Sequence, residues 1–421
     1  MINRFIDWLG HKTKIDAHYI TQNGFWVLFS QLSGSILAFA TTAVLTYFLT
    51  KDDFGQYRYV LSVVPILAIF SLQGIGTAMI RSVAKGRMVD LGKILKTKIK
   101  WSLIGSVAAI FISAYYFYQT NSALGYSFLI VAILLPVYEN FYVYSYYYKG
   151  RQEFKKDARF EVAVRLIQAI VLITTAALTK NFIAILGVYF LARFLSSGVL
   201  YLYTSKVACK NSSIESREPD DTIKYGTALS FVGILGTLTA NMDKLFVWHL
   251  LGDAELALYY VALVIPYNVV LLINVIPRIA FPKFSQKDWL RADYDLLLKR
   301  IKHFFLALLI PAGICYALLP YFLPLFFPGY GGSIIPALLL SLIILISPIN
   351  TIIAQMLRAI KAVKNIVMLR TVFILGFAAT FLLLYSKINI LAAASAYVTA
   401  ELISLVLGIY LLIQLSRKSA N

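Results

Sequence analysis

The succession KGRMVDLGKILKTKIK (85–100), WSLIGSVAAIFISAYYFY (101–118), QTNSAL (119–124), a second apolar run over 123–147, and KGRQEFKKDAR (149–159) decides the fold. A hydrocarbon core of about 30 Å is crossed by about 20 mostly apolar helical residues, and each run is of that order. The join between the runs carries no Lys or Arg, while both flanks are crowded with them. Because cytoplasmic loops are enriched in Lys and Arg, the stretch reads as a pair of spans whose free ends face the cytoplasm.

The same alternation runs through the whole chain. Twelve apolar runs are expected, near 24–48, 57–79, 101–118, 123–147, 160–178, 181–203, 226–251, 257–281, 303–327, 333–357, 366–385 and 389–414. With the N-terminus inside, 33 of the 39 basic residues fall on cytoplasmic segments. The outer loops hold only Lys51, Arg58, Lys180 and Lys387, and Arg193 and Lys244 lie within spans. Both termini are therefore expected in the cytoplasm, and the first run, too long for the apolar part of a signal peptide, is expected to remain as a span.

Composition agrees. The 421 residues are 60% hydrophobic and 14% charged, with a net charge of +19 and a mean hydropathy of +0.75. A soluble domain has about 45 to 50% apolar and about 25% charged residues, so a soluble reading is excluded. The basic surplus follows topology rather than a nucleic-acid surface, because runs of twenty apolar residues interrupt it. Cys209 and Cys315 supply no disulfide framework.

The segment KVACKNSSIESREPDDTIKYG (206–226) is the one polar hinge resembling a linker. It separates residues 1–205 from 226–421, with 206–225 between them, as two sets of six helices. The sets resemble each other. A shift of 201 carries Leu49, Asp52, Tyr59, Val60, Val63 and Pro65 onto Leu250, Asp253, Tyr260, Val261, Val264 and Pro266; a shift of 205 carries Arg165 onto Arg370; a shift of 208 carries Arg193 onto Glu401. Six spans per repeat give both halves the same orientation, related by an axis along the membrane normal, with a cavity expected between them.

An ionisable group at bilayer depth costs at least about 2.5 to 3.5 kcal/mol, so each is either functional or neutralised locally. Arg193 and Glu401 sit mid-span at matching positions with opposite charge, either as substrate-binding or partner-changing elements or as charges neutralised to hold their own bundles. Asp243 and Lys244, in ANMDKLFVW (240–248), point about 100° apart on a helix. Either span seven lines the cavity, with Lys244 as an anion contact and Asp243 as a proton or cation site, or Asp243 snorkels to the outer surface. Arg165 and Arg370, one to two turns into spans five and eleven, present the guanidinium fork suited to phosphate oxygens. Arg81 and Arg278 close spans two and eight on the same side. Contact with lipid headgroups is the ordinary alternative for all four. Glu139 and the tyrosines after it, in PVYENFYVYSYYYKG (136–150), read as an interfacial aromatic belt, with sugar stacking as the alternative. Gln31, Ser33, Gln73, Asn241, Asn268, Asn274, Asn350 and Gln355 read as interhelical glue.

No phosphate-binding glycine loop precedes a Lys-Ser/Thr pair, the four histidines have no metal-ligand spacing, and outer loops such as QTNSAL and PGYGGS are too short for a catalytic domain. The chain is expected to be no enzyme, with no cofactor and no metal.

LTKDDFGQYRYV (49–60), MDKLFVWHLLG (242–252), LALYYVALVIPY (256–267) and LFFPGYGGSIIPALLLS (325–341) resemble the polysaccharide transporters of the multidrug/oligosaccharidyl-lipid/polysaccharide exporter superfamily, most closely the Wzx-type O-antigen flippases. The resemblance covers nearly the whole chain. It implies an all-α, MATE-like polytopic fold of about twelve transmembrane helices. It also implies that the chain flips an undecaprenyl-pyrophosphate-linked oligosaccharide across the bacterial inner membrane by alternating access. The implied partners are that lipid-linked substrate, membrane lipids, and a polysaccharide polymerase and chain-length regulator, with no nucleic acid. Arg165, Arg370, Arg193, Lys244, Arg81 and Arg278 are then expected to bind substrate, and Asp243, Glu401 or Glu139 to carry a coupling ion. A drug/cation antiporter of the same superfamily is the competing reading; it would favour an acidic, aromatic cavity.

Overall fold

The computed structural model describes residues 17–87, 89–210, 219–275, 294–360 and 362–420. Among these, no residue is in a strand, and fifteen α-helices follow one another. They are α1 Ala17–Phe48, α2 Lys51–Leu67, α3 Gly74–Ala84, α4 Leu91–Tyr118, α5 Ser122–Tyr138, α6 Val143–Gly150, α7 Phe154–Thr179 and α8 Phe182–Lys210. After these come α9 Pro219–Leu251, α10 Asp253–Ile273, α11 Tyr294–Phe326, α12 Ile334–Leu340, α13 Ile343–Ala359, α14 Val363–Ile388 and α15 Ile390–Ala420. Eleven are long and apolar enough to span a membrane, or twelve spans if the pair Gly331–Leu340 and Ile343–Ala359, bent by 43°, is one. In hydrocarbon a chain must satisfy its backbone internally, which is why so apolar a chain is almost entirely helical.

The exterior is apolar. Phe111, Ile133, Ile310 and Leu383 are all exposed, an arrangement that suits lipid as solvent and would aggregate in water. The interior is where small and polar residues sit. Phe373, Phe377 and Phe381 line one stripe of α14, while Ala393, Ala396 and Ala400 are buried on α15, the helix packed against it. Small residues let neighbouring backbones approach closely where lipid offers no hydrophobic drive.

Spans two and four differ from the continuous runs expected. Pro65 and Pro136 lie inside α2 and α5, and each lacks the N–H of the regular ladder. A 3₁₀ turn follows within a few residues, at Ala68–Ser71 and at Asn140–Tyr142. Leu72 closes the first turn with φ 53°.

Packing divides the chain into two compact units: unit 1 comprises Met1–Leu49 with Val63–Thr237, and unit 2 comprises Thr50–Ser62 with Leu238–Asn421. The start of α2 thus packs with unit 2, and the first part of α9 packs with unit 1. Glycines make both arrangements possible. In unit 2 a Cβ on Gly55 would lie 2.0 Å from the Asp253 carbonyl oxygen. In unit 1 a Cβ on Gly74 would lie 2.5 Å from the Gly226 carbonyl oxygen, and the Gly74 N–H donates to Ser230 Oγ at 2.9 Å. Of the linker residues, 206–210 extend α8 and 219–225 begin α9.

Candidate functional site

Each unit buries a network of charged side chains. In unit 1 its centre is Glu161, on α7 one turn before Arg165 and 3% exposed. Tyr144 donates its hydroxyl to Glu161 Oε1 at 2.9 Å. Arg165 Nη2 lies 3.4 Å from Oε2, and Arg193 Nη2 of α8 lies 3.9 Å from Oε1. Arg165 also donates to the Ser30 carbonyl of α1 at 3.1 Å. It fits there because the facing residue is Gly34, where a Cβ would stand 1.6 Å from Arg165 Nη1.

The network continues through aromatic rings. The Arg193 guanidinium lies over Tyr142 at 5.2 Å, within cation–π range. Tyr142 Oη accepts from Lys149 Nζ at 2.9 Å, Lys149 lies 3.5 Å from Asp157, and Asp157 Oδ1 accepts from Ser145 at 2.5 Å. The tyrosines of the 136–150 stretch therefore do not form an interfacial belt. Tyr144, Tyr147 and Tyr148 are buried in the core of unit 1, because α6 follows the break in span four and turns that face inward. Glu139 lies at the end of α5, half-buried, and acts electrostatically on Lys98, Tyr138 and Tyr146. Arg81 ends α3 with its guanidinium 5.2 Å from the Tyr225 ring.

In unit 2, Asp243 is fully buried. Lys244 Nζ reaches back along α9 to donate to Asp243 Oδ1 and Oδ2 at 3.0 and 3.1 Å, and to the Ala240 carbonyl. Tyr259 of α10 donates to Asp243 Oδ2 at 3.0 Å. Adjacent positions on a helix point apart, but the long lysine stem closes that gap. Glu401 of α15 is 8% exposed, and its Oε2 and backbone carbonyl both accept from Asn350 Nδ2 of α13. Arg370 of α14 lies within electrostatic range of Glu401, and Tyr397 within range of both Glu401 and Asp243.

Arg165 and Arg193 thus meet in one network, and Asp243, Lys244, Glu401 and Arg370 lie in the other. Arg193 and Glu401 each find partners inside their own unit. Arg278 lies outside the described residues. Sequence reading missed Glu161, Asp157, Tyr144 and Tyr259 as network members. For Glu161 a signal existed: an acid four residues before Arg165, hence on the same helix face. Lys98, counted from sequence among the cytoplasmic basic residues, is 2% exposed inside unit 1.

The chain matches the family model described as polysaccharide biosynthesis protein over residues 20–287. No curated protein sequence matches it. Among solved structures, it resembles the MATE multidrug transporter DinF-BH, with a TM-score of 0.65, 12% identity and 96% of each chain covered. It also resembles a multidrug resistance MATE family transporter of the MOP superfamily, in its outward-facing conformation, with a TM-score of 0.63, 14% identity and 96% of each chain covered. The inward-facing conformation of such a transporter gives 0.62 and 14%, over 95% of this chain and 96% of the other. At such identities the likeness is one of fold. The chain is a multi-pass membrane protein with the MATE fold, and it belongs to the polysaccharide biosynthesis protein family.

Proposed function

We propose that the protein is a flippase, carrying an undecaprenyl-pyrophosphate-linked oligosaccharide across the bacterial inner membrane by alternating access, with both termini in the cytoplasm. The observation that carries this reading is the match of residues 20–287 to a polysaccharide biosynthesis family in a chain with a transporter's fold. A glycan diphosphate cannot cross hydrocarbon, whereas its polyprenyl tail can stay in lipid. The protein then has to offer a wet, cationic path and expose it to each side in turn.

Arg165 is the first choice for the diphosphate. Its side chain is 33% exposed, and Glu161 occupies only part of its donor fork. Arg193 and Arg81 of unit 1 and Lys244 and Arg370 of unit 2, together with Arg278 from its place in the sequence, are the other bases proposed to bind substrate. Asp243, Glu401 and Glu139 are the acids available to a coupling proton or sodium ion. The buried pairing of Arg193 with Glu161 and of Lys244 with Asp243 means these bases must trade partners to meet a substrate.

The test is complementation of a bacterial strain that lacks its own repeat-unit flippase and carries the cognate glycan genes. Restored surface glycan, lost again with Arg165→Ala at unchanged membrane abundance, supports the reading. Lipid-linked repeat units that stay on the cytoplasmic face despite abundant wild-type protein would overturn it. The likeness of fold to multidrug transporters motivates the second reading, a drug/cation antiporter, which predicts drug resistance in the same strain without surface glycan.

A further inference from the structure

The breaks in spans two and four both pack against α4. A broken helix at membrane depth frees backbone groups and is tolerated where protein or a wet cavity receives them. Here the carbonyl of Ser71, the last residue of the first break, accepts from Lys98 Nζ at 2.9 Å. An ammonium has three protons to donate, and this carbonyl answers one.

Unanswered groups gather along the same path. The hydroxyls of Ser71 and Ser106 and the Oδ1 of Asn140 are buried without a hydrogen-bond partner. Asn140 opens the second break, is fully buried, and donates from Nδ2 to Ser102 Oγ at 3.1 Å and to the Pro136 carbonyl at 2.7 Å. Lys98, Ser102 and Ser106 follow one another at four-residue steps, so they share a face of α4. Buried polar groups without partners are rare and costly, and a cluster of them beside a buried lysine calls for internal water.

The neighbours also decide which protonation states Lys98 can hold. Lys149 of α6 has a carboxylate partner, Asp157, at 3.5 Å. Lys98 has no carboxylate within 4 Å among the described residues; Glu139, at the end of α5, is the charged group that acts on it from further off. The break in span two contributes only Ser71, and α6 carries Tyr144, Tyr146 and Tyr147 beside Lys149. Hydroxyls rotate to donate or to accept, so the unpartnered hydroxyls of Ser71 and Ser106 suit surroundings that hold an amine as well as an ammonium.

We propose that this buried polar cluster is a proton-binding site in which Lys98 takes up and releases a proton. On release, the proton passes from Nζ to water and leaves for solvent as hydronium, and Nζ stays behind as a neutral amine. The bond from Lys98 to the Ser71 carbonyl weakens with the charge, and the 3₁₀ turn that ends at Ser71 is held less firmly. The site stands without the flippase reading; its link to translocation rests on that reading.

Two measurements test it. The first uses purified full-length protein with ¹³C-labelled lysine, the Lys98 Cε resonance being assigned by its loss in Lys98→Arg and in Lys98→Met. A Lys98 resonance that moves from the ammonium to the amine position between pH 6 and 10 supports the site; one that stays at the ammonium position throughout overturns it. The second uses phosphatidylethanolamine/phosphatidylglycerol vesicles loaded with an undecaprenyl-diphosphate oligosaccharide. There, an imposed pH gradient should change the wild-type flipping rate at least threefold, and neither Lys98→Arg nor Lys98→Met should respond. A gradient response retained in both variants refutes the coupling. If wild-type protein flips nothing, the flippase reading fails, and the resonance alone decides the proton site.

Discussion

In unit 1 a single carboxylate, Glu161, answers two guanidiniums, those of Arg165 and Arg193. In unit 2 two carboxylates, Asp243 and Glu401, stand with one lysine and one arginine. The span-six position that carries Arg193 in the first repeat carries Glu401 in the second, so the acid has moved from span five to span twelve. The first network keeps one positive charge in excess and the second is balanced. If the flippase reading holds, Arg165 and Arg193 of unit 1 offer the uncompensated charge for a diphosphate, and Lys244 and Arg370 of unit 2 can meet one only by leaving their acids. Lys149 with Asp157 adds nothing to the surplus, because that pair is neutral.

The sharpest way to break this contrast is Glu161→Gln. Removing the charge leaves two guanidiniums facing a neutral amide whose oxygen can still accept from Tyr144, and breaking a buried pair costs about 3 to 5 kcal/mol. The variant should lose most of its folded yield in detergent, measured by size-exclusion profile and thermal midpoint. A Glu161→Gln protein as stable as wild type would show that the unit 1 network holds nothing together.

Next in size are the two glycine crossings, one in each unit. At Gly55 and at Gly74 the atoms that an added Cβ would meet are backbone, which cannot swing aside. Overpacking of this kind costs about 1 to 3 kcal/mol. Gly55→Ala and Gly74→Ala should lower the thermal midpoint to a similar degree. A large effect at one and none at the other would show that only one crossing is tight.

Glu401→Gln should be milder. Asn350 Nδ2 can donate to an amide oxygen as it does to the carboxylate, so the change loses a charge-assisted bond and leaves no donor stranded, a cost of about 1 kcal/mol. The ratio of this effect to that of Glu161→Gln measures the asymmetry directly. Equal losses would mean that Glu401 serves Arg370 as tightly as Glu161 serves its two arginines.

The spans were legible because periodic charge and apolar length are local properties, readable one run at a time. So were Arg193, Lys244, Asp243 and Glu401, each an isolated charge in an apolar run. Partners were less legible, because they are set by which helix faces meet. Glu161 lay at the start of a run beside a basic hinge and was overlooked, although its four-residue spacing to Arg165 announced a pair. Lys98 resembled its solvated neighbours; only the stripe Lys98, Ser102, Ser106 set it apart. The tyrosines of 142–148 have the composition of a membrane-interface belt. What turns them inward is a break at Asn140, and no single-residue signal beyond Pro136 marks it.

The smallest effect sharpens the comparison most, because it separates position from stability. Gly34→Ala places a methyl where Arg165 Nη1 now lies, at 1.6 Å, and the arginine must leave the Ser30 carbonyl. The end of a flexible side chain moves cheaply, so the thermal midpoint should shift little, by an amount corresponding to less than about 1 kcal/mol. Surface glycan, however, should fall if Arg165 holds the diphosphate, since a displacement of about 1 Å at a binding group can cost on the order of a hundredfold in rate. Gly376 of α14 is the control in unit 2, where the nearest neighbour of a Cβ is a side-chain methyl at 3.3 Å. Gly376→Ala should leave glycan display intact. Normal display from Gly34→Ala, with the protein abundant in the membrane, would remove Arg165 from the substrate path and return the surplus charge of unit 1 to lipid headgroups.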